Sequence, residues 1–365
     1  MKRIFIAATQ QNDGKTTVAL GLMCNLKERL KKLGFIKPIG QRYLEEEGDK
    51  IDEDSLLIER TLKSCGIRCG LKDTSPVAVE RGFTEDYITN PQRKVIERKI
   101  KEAFKRVSKD RKMMIIEGTG HAGVGSVFDH SNAKVAKMLK SKVIIVSSGG
   151  LGRPIDEIVL NKSLFDREKV SVAGVIINKV LPEKYDKINR LIRKGLKRKG
   201  VDVLGVMPYN KILSSCTVKQ IIEEANFELL LGESFLERRI ERIIVGAMQA
   251  IDALKYFKDE MLVITPGDRE DILSAALKAT HADGEKGIKI SGFILTGGFV
   301  PANSIMKQLT EAKIPVLLSK RDTYSVASIV NSITVKIGPG DKEKIAIAVD
   351  MAKQYLDMDR IMGCS

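Results

Sequence analysis

Ala8-Thr9-Gln10-Gln11-Asn12-Asp13-Gly14-Lys15-Thr16-Thr17 follows a short apolar run, Ile4 to Ala8, and opens a long amphipathic segment. Strand, tight loop ending in Gly-Lys-Thr, then helix is the construction of a phosphate-binding loop. Backbone N–H groups of such a loop point at phosphate oxygens, Lys15 adds a positive charge, and the Thr16 hydroxyl reaches Mg²⁺. The strict spacing asks for glycine five residues before Gly14, where Thr9 stands. The plainer alternative is a strand-to-helix turn that happens to contain Gly-Lys-Thr.

Outward from this loop, strands and helices alternate. The first helix is expected from Lys15 to Lys32, ended by Gly34, and Phe35–Ile39 reads as the second strand. An acidic loop from Glu45 to Asp54 leads into a helix ending near Leu62, and residues 71–92 give no clear pattern. Strands then follow at Met113–Glu117, Lys142–Ser147, Val172–Asn178 and Val203–Met207, separated by helical stretches. Short apolar strands between helices argue for a parallel sheet covered on both faces. Ligands in such sheets gather beyond the carboxyl ends of the strands. Lys15, Lys37, Glu117, Ser147, Asn178 and Pro208 all fall there.

Composition narrows the function classes. The chain has 365 residues, enough for about two domains, with 43% hydrophobic and 30% charged residues. No apolar stretch approaches the roughly 20 residues that span a bilayer, and no cleavable leader is visible. A cytoplasmic address is expected. The five cysteines are scattered and odd in number, so no disulfide framework is implied. Lys and Arg total 62 against 47 Asp and Glu, a net charge of +15. These basic residues interleave with apolar ones in helix-like stretches such as 93–112 and 184–199, the pattern of solvated helix faces. Aromatics are 5% and Trp is absent, so no stacking platform for nucleic acid is expected.

Glu117 closes an apolar strand and precedes Gly118-Thr119-Gly120. A carboxylate at the tip of a buried strand beside a phosphate loop suits Mg²⁺; a cap or an ion pair is the alternative. Asp54 offers a second ligand, while Asp52 suits the helix cap. Ser147 to Pro154 makes a glycine-rich turn with Arg153, read equally as an anion site or as a tight turn. His121 adjoins Glu117 but reads as a surface histidine.

Residues 1–210 resemble dethiobiotin synthetase and its relatives, the cobyrinic acid amide synthases and the N-terminal domain of long phosphate acetyltransferases. The resemblance rests on the Ala8–Thr17 loop, Lys37-Pro38-Ile39, Glu117-Gly118-Thr119-Gly120, Asn178 and Gly205-Val206-Met207-Pro208. It implies a loop of the Gly-x5-Gly-Lys-Thr length, with Ala8 in place of the first glycine. It further implies that ATP is held by Thr9, Asp13, Gly14, Lys15, Thr16 and Thr17, with Lys15 on the β- and γ-phosphates. Thr16, Asp54 and Glu117 would surround Mg²⁺, Asn178 would read the adenine edge, and Pro208 and Tyr209 would line the base pocket. Lys15 and Lys37 would be the catalytic lysines, Lys37 steadying a carboxylate or acyl-phosphate; an ion pair with the acidic loop is its structural alternative.

Ile264 to Asp271, with Asp268-Arg269, and Gly292 to Gly298, with Thr296-Gly297-Gly298, resemble the DRTGG domain. Arg269 is expected to offer a fork to an anion. The fold class expected is therefore α/β: a parallel-sheet P-loop NTPase-type domain over 1–214, then a smaller α/β DRTGG-like domain over 215–335. Residues 336–365 read as a C-terminal extension of that second domain. The acetyl-transfer and glutaminase domains of these relatives are expected to be missing. Two functions stand: an ATP-dependent synthetase acting on a small carboxylate or amine, and a nucleotide-sensing regulatory protein with an acyltransferase partner. By resemblance a homodimer is expected.

Overall fold

The apolar runs of the first two hundred residues form one parallel sheet. The computed structural model describes residues 1–46, 48–63, 70–280, 287–333 and 335–363; Cys65, Cys69 and Cys364 lie outside them. Among the described residues the strands are β1 (Lys2–Ala8), β2 (Leu33–Ile36), β3 (Met113–Glu117), β4 (Lys142–Ser148), β5 (Val172–Val180) and β6 (Val203–Pro208). They lie in the order β6-β5-β4-β1-β3-β2, every neighbour parallel. Ile4 through Ala8 and Met113 through Glu117 are all buried, as strands covered on both faces must be. From β1 the chain crosses to one side of the sheet, and from β4 to the other. The carboxyl ends of β1 and β4 therefore flank the switch point where such sheets open a crevice.

Two compact units result: Met1–Asn210 together with Ile337–Ser365, and Lys211–Lys336. The assignment of residues 336–365 to the second domain is thus corrected from Ile337 onward. The reason is the loop helix, Lys15–Leu26, which is buried from Val18 through Leu26. A helix apolar all round needs cover on both sides. The sheet supplies one side and the helix Lys342–Tyr355 the other. Their contact is close because Gly21 has no side chain: a Cβ there would lie 2.3 Å from Ala352 Cβ. Asn25 Nδ2 seals it by donating to Val349 O at 2.9 Å.

Two local expectations are also corrected, and the helical reading of the basic stretches holds. The first helix ends at Leu26, and Gly34 lies inside β2, packed on Met114. The acidic loop is an antiparallel ribbon, Tyr43–Glu46 against Asp49–Asp52, followed by the helix Glu53–Lys63. The basic stretches form Arg93–Val107 and Tyr185–Lys197, burying Ile96, Ile100 and Phe104 in one and Ile188, Ile192 and Leu196 in the other.

The second unit holds a five-stranded sheet of β7 (Glu228–Leu231), β8 (Arg242–Val245), β9 (Met261–Pro266), β10 (Ile290–Thr296) and β11 (Val316–Leu318), ordered β7-β11-β10-β9-β8. Only β7 runs antiparallel. Thr217 caps its opening helix Val218–Ala225 through a reciprocal bond with Gln220.

Candidate functional site

The loop leaves β1 at Ala8 and enters the helix at Lys15. Gly14 adopts φ +95°, and a Cβ on it would fall 2.2 Å from Asn178 Nδ2; glycine is required on both counts. Thr9, in the place of the strict motif's glycine, is buried and donates to Asp13 Oδ2 at 2.7 Å. Asp13 also accepts from Gln10 N at 2.7 Å and from Ser148 Oγ at 2.6 Å. Three donors on one carboxylate hold the loop in shape, since bonds to a charged group are each worth about 1.5–3 kcal/mol. The side chains of Thr9 and Asp13 are turned to this bracing.

Below the loop, Thr16 Oγ1 donates to Glu117 Oε1 at 2.8 Å, while Glu117 Oε2 is buried with no hydrogen-bond partner. Burial pushes the Glu117 carboxyl up, with the Asp54 carboxylate adding to the shift, to about 7, against Lys37, Thr16 and Lys15. Burial lowers the Lys15 ammonium, opposed first by Glu117 and reinforced by Lys37. Lys37 sits at the carboxyl end of β2 and is ion-paired with Asp54 and, at 2.9 Å, with Asp52. Burial works against its charge, but the carboxylates of Asp54, Asp52 and Glu117 outweigh this and hold it above the ordinary lysine range. Asp52 also caps its helix, accepting from Asp54 N at 2.9 Å. Lys15, Lys37, Asp52, Asp54 and Glu117 thus form one buried cluster of two cations and three carboxylates.

On the far side of the loop, Asn178 Nδ2 donates to Asp13 O at 2.9 Å. Pro208 pairs with Val180 across β5 and β6, and Tyr209 N donates to Val180 O at 2.7 Å. Asn178, Pro208 and Tyr209 are therefore brought to one end of the sheet, beside the loop. Arg153 of the glycine-rich turn pairs with Glu157 at 2.6 Å, and Glu157 also accepts from Gln10 Nε2. His121 is exposed and its Nδ1 accepts from Gly123 N. Sequence reading missed Lys179, whose Nζ donates to Asn12 O at 2.7 Å. Neither motif nor periodicity marks it. In the second unit, Asp271 takes the Arg269 fork at 2.7 and 2.8 Å, and Met248 O takes a further bond. The fork expected to meet an anion is met by the Asp271 carboxylate.

A family model described as an AAA domain matches residues 2–217, more than half of the chain. The chain belongs to that family. This AAA-domain chain also matches the DRTGG domain over residues 220–333. It is 27% identical over 371 residues to the phosphate acetyltransferase of Nitratidesulfovibrio vulgaris, covering 98% of this chain and 51% of the relative. With the phosphate acetyltransferase of Pseudomonas putida it shares 27% identity over 368 residues, with the same coverage. The chain thus spans about half the length of the curated relatives it matches. The solved MinC:MinD cell division protein complex of Aquifex aeolicus aligns with 15% identity and a TM-score of 0.37, covering 58% of this chain and 84% of that one. The fusion of a dethiobiotin synthetase-like P-loop domain to a DRTGG domain, read from the sequence, stands. Among the described residues no helix is long and apolar enough to cross a membrane.

Proposed function

We propose that the first unit binds MgATP and reports nucleotide state to an acyl-transfer activity of the kind named in its relatives. The observation that carries the nucleotide reading is Glu117 Oε2, a buried carboxylate oxygen without a partner beside the Thr16 hydroxyl. Among the described residues no group of three or more His, Cys, Asp or Glu side chains converges as a metal cage. Mg²⁺ does not need one, since it is commonly held by one or two carboxylates together with phosphates and water. Thr16 and Glu117 fit such an ion, with Asp54 as a further ligand once it exchanges away from Lys37. The ion would neutralise phosphate charge above a cluster that carries an excess of carboxylate. Lys15 would meet the β- and γ-phosphates, and the N–H groups of Asp13 through Thr17 would line the anion cradle. Asn178, whose Nδ2 holds the loop, keeps Oδ1 for the base, with Pro208 and Tyr209 alongside.

A regulatory role is favoured over turnover by Lys37, whose ammonium two carboxylates hold. The second reading, an ATP-dependent synthetase that activates a small carboxylate for attack by an amine, is favoured by the nearness of Lys37 to Glu117 and Lys15. Negative charge building on transferring oxygens is what a released Lys37 would meet. Calorimetric titration with MgATP and MgADP, with phosphate release followed in the same samples, separates the two. Binding without release supports the sensor; release that rises with an added carboxylate and amine pool supports the synthetase.

A further inference from the structure

Between Ile177 and Val180, β5 advances three residues while its partner β6 advances two, from Val206 to Pro208. This is a bulge, a device that re-aims side chains beside active sites. At its centre Lys179 takes φ +57°, a left-handed conformation uncommon outside glycine, Asn and Asp. Neighbouring residues on a regular strand face opposite sides. Here Asn178 and Lys179 reach the same loop and grip consecutive carbonyls, Asp13 O at 2.9 Å and Asn12 O at 2.7 Å. Both carbonyls can only accept, so both contacts are made by side-chain N–H donors.

In a planar trans peptide the C=O and the following N–H point in opposite directions. Gripping Asn12 O therefore turns the Asp13 N–H away from β5, and gripping Asp13 O does the same for the Gly14 N–H. We infer that Lys179 is a positioning residue for the phosphate cradle: with Asn178 it holds two successive loop peptides so that their N–H groups face the anion. This deepens, and rests on, the nucleotide reading above. The ligand chemistry addressed is a polyphosphate chain, independent of the base.

The test compares Mg-tripolyphosphate, which has no base, with MgATP as calorimetric ligands for the unaltered protein, Lys179→Met and Lys179→Arg. Lys179→Met keeps the aliphatic stem and removes the donor. It is expected to weaken both ligands by the same factor, about tenfold for a charge-assisted bond, in a protein that still melts well above the temperature of the titration. Lys179→Arg, which retains a charged donor, is expected to restore most of both affinities. Loss of MgATP affinity alone, with tripolyphosphate unaffected, would assign Lys179 to the base and overturn the inference. Unchanged affinity for both would overturn it, as would an unaltered protein that binds MgATP but not tripolyphosphate. An unaltered protein that binds neither ligand removes the nucleotide reading itself, and the inference with it.

Discussion

The Thr16 hydroxyl donates to Glu117 Oε1 at 2.8 Å, joining the first turn of the loop helix to the tip of β3. The second Glu117 oxygen has no partner. If that oxygen serves Mg²⁺, then Glu117→Gln should reduce the gain in nucleotide affinity that Mg²⁺ provides by about tenfold or more, on the scale of lost metal-site groups. Affinity in the presence of a chelator should stay as in the unaltered protein. Titrations with and without Mg²⁺ decide this, and an unchanged Mg²⁺ effect would remove Glu117 from the metal site.

Lys37 is the cation between Asp52 and Asp54, and all three are buried. Removing one member of a buried ion cluster leaves uncompensated charge and typically destabilises by about 3–5 kcal/mol. Lys37→Met is expected to lose that much in urea unfolding, and Lys37→Met with Asp54→Asn to recover part of it. A loss under about 1 kcal/mol would mean that the carboxylates find other partners at no cost.

Gly21 sets the distance between the loop helix and the helix Lys342–Tyr355. Its added Cβ would also lie 2.9 Å from Ala348 O, so the backbones must separate if it is filled. Gly21→Val is expected to destabilise by about 1–3 kcal/mol, the range for overpacking. Gly152→Ala, which meets open space, is the control expected to be neutral. Equal stability of both variants would show that the two helices do not pack as closely as described.

His130 is buried, with Nδ1 bonded to Phe128 O at 2.7 Å and its ring stacked on Phe128. Burial lowers its pKa below the ordinary 6.5. The unfolded chain then takes up a proton that the folded chain resists. The contribution of neutral His130 is complete above pH 6.5 and is lost progressively as pH falls below it. Unfolding free energies should drop more steeply on acidification below that pH for the unaltered protein than for His130→Gln. Parallel pH profiles would contradict this.

The parallel sheet was legible because each of its strands is an apolar run bounded by helical periodicity. The nearness of Thr16 to Glu117 and of Asn178 to the loop was legible because the Gly-Lys-Thr loop, Glu117 and Asn178 all stand at or just beyond the carboxyl ends of apolar strands. The ribbon at 43–52 was not, since its pairing stabilises a charged stretch with no alternation to reveal it. The place of residues 337–365 was hidden for another reason. Sequence order suggests packing on the nearest preceding domain, whereas the helix covers Gly21, over three hundred residues away. Val18–Leu26 reads as part of an amphipathic segment, whereas its apolar residues encircle the helix and require a second layer. Lys179 gave no signal, because a bulge depends on the register between two strands and not on either strand alone.

The claim on which the rest depends is that the Ala8–Thr17 loop holds nucleotide phosphates. Its most direct test is calorimetric titration of the unaltered protein and of Lys15→Ala with MgATP. Saturable one-site binding by the first and none detectable by the second are expected, with both proteins folded by melting temperature. Undiminished affinity in Lys15→Ala would contradict it.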